Sequence, residues 1–265
     1  MKSNYHTHTT WCDGRDTPAA VAAAAAAMGF GSLGFSSHAA PGWNDGVAID
    51  SAERLEAYAG DVRSVAAAHE GDVAVFLGVE ADFVPGRAIP DRKEYAAIAP
   101  DYVIGSIHYV AAPDGAFVAV DHRPDILADG IRDHFGGSAE AFVKAYFAQE
   151  REMAARFDFD VVGHPDLVRK FNAKHPYFDE TAAWYRDEIE ATAEAVAASG
   201  KIVEVNTGAI ARGWLDDAYP SAEFRRALRT RGVKFLLSSD AHCAQTLDCA
   251  FDRFADAEDF VEKPF

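Results

Sequence analysis

Seven short, largely apolar runs recur along the chain, each parted from the next by a segment of helix-forming character, and this alternation limits the fold more than any other feature. The runs are the opening stretch through Tyr5 to His8, Ser32 to His38, Val73 to Glu80, Tyr102 to His108, Phe159 to His164, Lys201 to Asn206 and Val233 to Asp240. Nearly continuous apolarity, as in Val73 to Val79, suits strands buried on both faces of a parallel sheet. Between the runs, Asp16-Thr17-Pro18 reads as a capped helix start that the alanine-rich stretch Ala19 to Met28 carries on to Gly29. Further helices are expected over Ser51 to His69, Ser138 to Phe157, Thr181 to Ser199 (closed by Gly200) and Ser221 to Arg231. Strands alternating with helices specify a parallel β/α architecture, and 265 residues is an ordinary length for one such barrel. No repeat, linker or shift of composition marks a boundary, so a single domain over 1–265 is expected.

The ends of the runs carry the chemistry. A β/α barrel builds its active site at the carboxyl ends of its strands, and His6, His8, His38, Glu80, His108, His164, Asp240 and His242 all fall at or just past such ends. His6 and His8 are two apart on a strand, so their imidazoles point the same way and can grip one cation together. Asp13 adds a hard oxygen donor, a mixture that suits zinc, iron or manganese. Six histidines and several carboxylates exceed the four to six donors that one ion takes, which implies two or three ions. His69, His122, His134 and His175 lie away from strand ends and are not expected to be ligands, His122 being the nearest to an exception. Cys12 and Cys243 flank ligand motifs and read as small packing residues. Trp11, Trp43 and Trp214 lie in loops near the mouth, open either to a ring-bearing substrate or to packing. The long connection Val110 to Gly137, with its Pro, Gly and Asp residues, is expected to be a lid or specificity element.

A formal charge of −17 disfavours a nucleic-acid polymer as partner, because gripping its backbone needs clustered Lys and Arg. It does not exclude a small phosphorylated substrate, since bound divalent cations invert the potential locally. No apolar run is long enough to cross a bilayer, and no basic region followed by an apolar one opens the chain, so a cytoplasmic protein without membrane partners is expected. Three cysteines give no disulfide framework.

The motifs His6-Thr-His8, strand-end His38, Gly78-Val79-Glu80, Gly105-Ser106-Ile107-His108, Gly163-His164-Pro165-Asp166-Leu167 and Ser239-Asp240-Ala241-His242 resemble, in order over about residues 3 to 243, the successive motifs of the polymerase and histidinol phosphatase (PHP) superfamily. Gly105 to Tyr109, Phe135-Gly-Gly137 and Phe157 to Phe171 resemble its histidinol-phosphatase branch in particular. The resemblance implies a distorted seven-stranded (β/α)7 barrel with a trinuclear site. One ion would be held by His6, His8, Glu80 and Asp240, with Glu80 bridging to a second held by His108 and His164; the third would take Asp13, His38 and His242. It further implies that Arg169 and Arg212 contact phosphate. Asn206 is read as orienting a ligand or the phosphate, and Asp240 as able also to move a proton, although ligand duty alone explains it. The activity so implied is metal-dependent hydrolysis of L-histidinol phosphate to L-histidinol and phosphate, in histidine biosynthesis. Another small phosphate ester or a nucleotide is the alternative substrate, and a non-catalytic metal or ligand sensor a third reading. Phosphate monoesters hydrolyse so slowly in water that accelerations up to about 10²¹-fold are known, which charge neutralisation and positioning by adjacent cations can supply.

Overall fold

Local signals set the elements before packing does. Thr17 accepts from the Ala20 amide, Pro18 takes the first helical position, and α1 runs Pro18–Ala27. Ser51 and Ser138 cap two later helices in the same way, by accepting from the amides of Arg54 and Ala141. In the computed structural model, which describes residues 2–254, 260–261 and 264–265, the chain order is β1 (Lys2–Asn4), α1, β2 (Phe30–Phe35), β3 (His38–Ala39), α2 (Ala52–Ala68), β4 (Ala74–Asp82), β5 (Tyr102–Ser106), β6 (Tyr109–Ala111), β7 (Phe117–Ala119), α3 (Pro124–His134), α4 (Ala139–Arg156), β8 (Val161–Val162), α5 (Ala183–Ser199), β9 (Ile202–Asn206), α6 (Gly208–Ala211), α7 (Ala222–Arg229) and β10 (Phe235–Ser238). Gly200, at φ 71°, ends α5 as its position predicts.

The main sheet is parallel, in the order β1-β2-β4-β5-β8-β9-β10. Its first and last members meet beyond their regular ends, where Thr7 bridges Ala241 and the His8 amide donates to the Ala241 carbonyl at 2.8 Å. A nearly closed seven-stranded β/α barrel results, the architecture expected. Strand β3 keeps the register of β2 along β4, so the two are one strand interrupted at Ser36 and Ser37. That register sets His38 directly beside Glu80.

The connection from Val110 to Gly137 is more ordered than a long loop. It holds the β6–β7 hairpin, turned at Gly115 (φ 88°), and helix α3, which starts on Pro124 and gives way to Gly136 and Gly137 at φ 60° and 77°.

One end of the barrel interior is filled by Tyr5, Tyr102, Ile104, Val161 and Leu236, with Phe265 stacked on Tyr102. The Tyr102 hydroxyl donates to the main-chain carbonyl of Tyr5 at 2.5 Å, and a Cβ at Gly34 or Gly78 would overlap its ring. Glycine at those two positions is what lets a tyrosine cross the lumen. With that end closed by aromatic packing, the polar strand ends are gathered at the other. The larger core lies between sheet and helices, with Val21, Tyr58, Phe142, Phe147 and Phe224 among its members. Among the described residues no helix is long and apolar enough to cross a membrane.

Candidate metal centre

Past β1 the chain stays extended and its side chains alternate. Thr7 turns outward and donates its hydroxyl to the Gly34 carbonyl at 2.6 Å, while His6 and His8 turn inward with their ring centroids 5.1 Å apart. Both are buried, and so is Glu80 on β4, which stands at the centre of the cluster. Its Oε2 lies 3.1 Å from His6 Nε2, 3.4 Å from His8 Nε2 and 3.0 Å from His38 Nδ1. Its Oε1 lies 2.9 Å from His164 Nε2 and 3.5 Å from His108 Nε2. One carboxylate thus faces two sets of imidazoles with different oxygens.

Asp240 reaches the cluster from the end of β10, with Oδ1 3.1 Å from His8 Nε2 and 3.5 Å from His242 Nδ1. It does so in the left-handed region, at φ 47°, a conformation that costs about 1–3 kcal/mol in a non-glycine residue and gathers at functional sites. Asp13, the most exposed member, sits 3.0 Å from His242 Nε2, 3.7 Å from His8 Nδ1 and 3.8 Å from His38 Nε2. All nine residues expected as ligands therefore converge. Among the described residues four groups have donor atoms close enough to share an ion: His8, Asp13, His38 and His242; His6, His8 and Asp240; His6, Glu80 and His164; and His38, Asp82 and His108. The last pairing departs from the expected partition. His108 is turned by the Asp82 carboxylate, which accepts from its Nδ1 at 2.5 Å.

A cation is what these atoms fit. His6 Nε2, His8 Nε2 and Glu80 Oε2 are buried, point at one another and have no hydrogen-bond partner, an arrangement that folded proteins rarely tolerate among neutral groups. Burial resists ionisation of Glu80 and Asp240, but the neighbouring His6, His38 and His108 for the former, and Arg212 and His6 for the latter, hold both well below the usual carboxylate range. Burial, with His242 and His38 beside it, brings His8 down to about 3 and leaves its ring nitrogens neutral.

Two buried carboxylates that the sequence reading did not single out hold the imidazoles in place. Glu204 accepts from His6 Nδ1 at 2.8 Å and Ser238 Oγ at 2.5 Å through one oxygen, and from the His164 amide and Asn206 Nδ2, each at 2.8 Å, through the other. Asp82 does the same for His108. A histidine tied at Nδ1 presents Nε2 in a fixed direction, the usual support of metal-ligating imidazoles. The signal was present in the spacing. Asp82 shares the face of Glu80 two residues on, and Glu204 is a lone carboxylate inside the apolar run Ile202 to Val205.

The cluster opens on a cavity of about 270 Å³ whose wall includes Tyr109, Asp121, Lys170, Arg212 and Tyr219. Arg212 lies there as expected, donating to Asp240 Oδ2 and to the Asp240 carbonyl, each at 3.2 Å. Arg169 does not. It lies outside the cavity wall, paired with Glu180 at 2.6 Å and Asp166 at 3.4 Å, and the adjacent Lys170 faces the cavity in its place. Asn206 is also outside the wall, holding Glu204 and the Gly208 amide. His122 lines the cavity without joining any of the four groups. The three tryptophans serve packing: Trp11 donates to Asp61, Trp43 packs on Tyr109 and Phe117, and Trp214 on Phe171. Burial, with Asp13 adding to it, pushes the Cys12 thiol up to about 11; its Sγ lies 3.4 Å from His8 Nδ1 and joins none of the four groups.

The model of the PHP domain family matches residues 4–208. Among curated proteins, the "Probable histidinol-phosphatase" of Deinococcus radiodurans is 34% identical over 257 residues, which is 95% of this chain and 89% of the relative. Its namesake in Schizosaccharomyces pombe is 23% identical over 197 residues, 73% of this chain and 61% of that protein. The solved hisK structure of Listeria monocytogenes superposes with a TM-score of 0.83 at 19% identity, covering 96% of this chain and all of that one. The histidinol phosphate phosphatase of Lactococcus lactis, solved with zinc, L-histidinol and phosphate, superposes at 0.65 and 19% identity, covering 92% of this chain and 87% of that one.

Proposed function

The chain belongs to the PHP domain family, and from that premise we propose that it is a metal-dependent phosphomonoesterase which hydrolyses L-histidinol phosphate to L-histidinol and phosphate. The observation that carries the reading is Glu80, a buried carboxylate flanked on both oxygens by imidazoles, beside a cavity walled by Arg212 and Lys170.

We assign two to three divalent ions, of zinc, iron or manganese, to His6, His8, Asp13, His38, Glu80, His108, His164, Asp240 and His242. Bound there, such ions act as Lewis acids toward a phosphate ester and activate water as the nucleophile. The chain's own groups do the rest. Glu204 and Asp82 fix the imidazole rings. Arg212 offers its guanidinium to the phosphoryl oxygens while holding Asp240 and His242 in place, and Lys170 adds a second positive charge to the same wall. Asp45, Asp82 and Asp121 also face the cavity, Asp82 bonded to His108 and Asp121 paired with Lys170 at 2.9 Å. This surplus of carboxylates suits an ester that carries a protonated amine and opposes a polyanionic nucleotide. The whole chain forms the catalytic unit, because Asp240 and His242 lie beyond the stretch matched by the family model. A cytoplasmic location agrees with three free thiols.

Phosphate release from L-histidinol phosphate, measured beside a panel of small phosphate esters and nucleotides on protein of known metal content, tests the reading. Preference for histidinol phosphate with two or three ions per chain is expected. Preference for another ester overturns the substrate, and metallated protein without turnover overturns the enzyme.

Metal loading is expected to depend steeply on pH. Burial resists protonation of His6 and His108, but Glu204, Glu80 and Asp240 around the first, and Asp82 and Glu80 around the second, outweigh it and raise both well above the ordinary imidazole value. In the metal-free protein these rings hold their protons to higher pH than a free imidazole does, and an entering ion must displace them. Affinity should therefore fall as pH falls and rise until the raised values are passed. Calorimetric titration at pH 7 in buffers of different ionisation enthalpy reads the displaced protons directly; heats independent of buffer would contradict the assignment.

A further inference from the structure

Tyr219 lines the cavity and carries a buried hydroxyl that nothing among the described residues satisfies. The residue is 1% exposed, its Oη has no hydrogen-bond partner, and it lines the same cavity as Arg212 and Lys170. Buried tyrosine hydroxyls ordinarily find a partner, so one left unsatisfied on a residue that lines a cavity is a place for a ligand acceptor. Its position is fixed from both sides. The Asn206 amide donates to the Tyr219 carbonyl at 2.7 Å and the Tyr219 amide donates to the Asn206 carbonyl at 2.9 Å. The side chain of the same Asn206 holds Glu204, which holds His6. The ring stands edge-on to His164, centroids 6.3 Å apart. The hydroxyl is thus mounted on the frame that positions the imidazoles, as a pre-organised binding group must be.

We propose that Tyr219 Oη donates a hydrogen bond to a phosphoryl oxygen of the bound ester, a third phosphate contact beside Arg212 and Lys170. The assignment rests on the phosphomonoesterase reading. A phenol has one O–H to give, and toward an acceptor it serves as the donor. A phosphoryl oxygen is the acceptor that the neighbouring Arg212 also selects. Tyr185 supplies an internal comparison. Its hydroxyl is equally buried and unpartnered, but it packs among Phe147, Phe178 and Trp184 and does not line the cavity.

The test compares Tyr219→Phe and Tyr185→Phe with the parent, all as metal-loaded enzyme, by inhibition with inorganic phosphate, by KM and kcat for histidinol phosphate, by metal content and by thermal midpoint. Loss of one hydrogen bond to a charged oxygen should weaken phosphate binding about tenfold or more in Tyr219→Phe and lower kcat/KM about ten- to a hundredfold. Metal content should be unchanged and the thermal midpoint equal or higher, because the lost hydroxyl had no protein partner. Tyr185→Phe should leave phosphate affinity as in the parent. Unchanged phosphate affinity in Tyr219→Phe, with or without a fall in midpoint, overturns the assignment. A parent enzyme that neither binds phosphate nor releases it overturns the phosphomonoesterase reading, and this contact with it.

Discussion

Glu80→Gln is expected to lower kcat/KM for histidinol phosphate by about 10³-fold or more, a loss of roughly 4 kcal/mol of transition-state stabilisation. The substitution keeps shape and volume, so it isolates the charge. In the parent, Glu80 Oε2 faces His6, His8 and His38, and Oε1 faces His108 and His164. A neutral amide can offer one weak oxygen to one of these sets and presents N–H donors to the other, where a cation or a protonated ring would stand. Bound metal should fall by at least one ion per chain, read by elemental analysis on the same preparation. Asp82→Asn, which loosens the hold on His108 and removes one cavity carboxylate, should cost less, about 10- to 100-fold. If Glu80→Gln protein carries a full complement of metal and turns over like the parent, the carboxylate does not join the two sets and the centre must be redrawn. Equal losses in the two variants would instead place Asp82 inside the coordination shell.

The barrel and the gathering of strand-end histidines and carboxylates at its mouth were legible because both depend on patterns that a sequence displays. Buried parallel strands announce themselves as apolar runs, and a polar residue that closes such a run has only the barrel mouth to occupy, as His38, Glu80, His108 and His164 do. What escaped was shorter or more local. Strands β6 and β7 have three residues each, too few for alternation to be told from loop, so an ordered hairpin and a helix read as one long connection. Glu204 was hidden by its own success: fully buried and fully hydrogen-bonded, it sits inside a strand rather than at its end. The choice between Arg169 and Lys170 turned on direction within the short 3₁₀ turn Leu167–Arg169. At three residues per turn, adjacent side chains diverge by about 120°, and sequence alone does not tell which one faces the cavity.

That divergence separates two arginines by the kind of damage their loss should do. Arg169 is largely buried between Asp166 and Glu180, and Asp166 also accepts from the Ser221 amide at 2.7 Å. Removing one partner of a buried ion pair typically costs about 3–5 kcal/mol, so Arg169→Ala should lower the thermal midpoint by roughly 6–20 °C for a chain of this size. Its effect should grow with pH. Burial already raises Asp166 above the ordinary carboxylate value while Arg169 pulls it down, so without the arginine the folded-state value climbs further. A carboxyl whose folded value is raised stabilises fully below its unfolded value, about 3.9, and loses that contribution as pH rises through the folded one. The deficit is therefore smallest in acid, where Asp166 takes a proton, and largest at and above neutrality. The fraction that remains folded should bind phosphate and turn over as the parent does. Arg212→Ala should show the reverse, a phosphate affinity weakened about tenfold or more with a smaller change in midpoint, because its guanidinium lies in the cavity wall and is partly open to solvent. Thermal scans from pH 5 to 8, with phosphate inhibition measured on the same variants, decide the matter. A stable Arg169→Ala enzyme with tenfold weaker phosphate binding would return that arginine to the substrate.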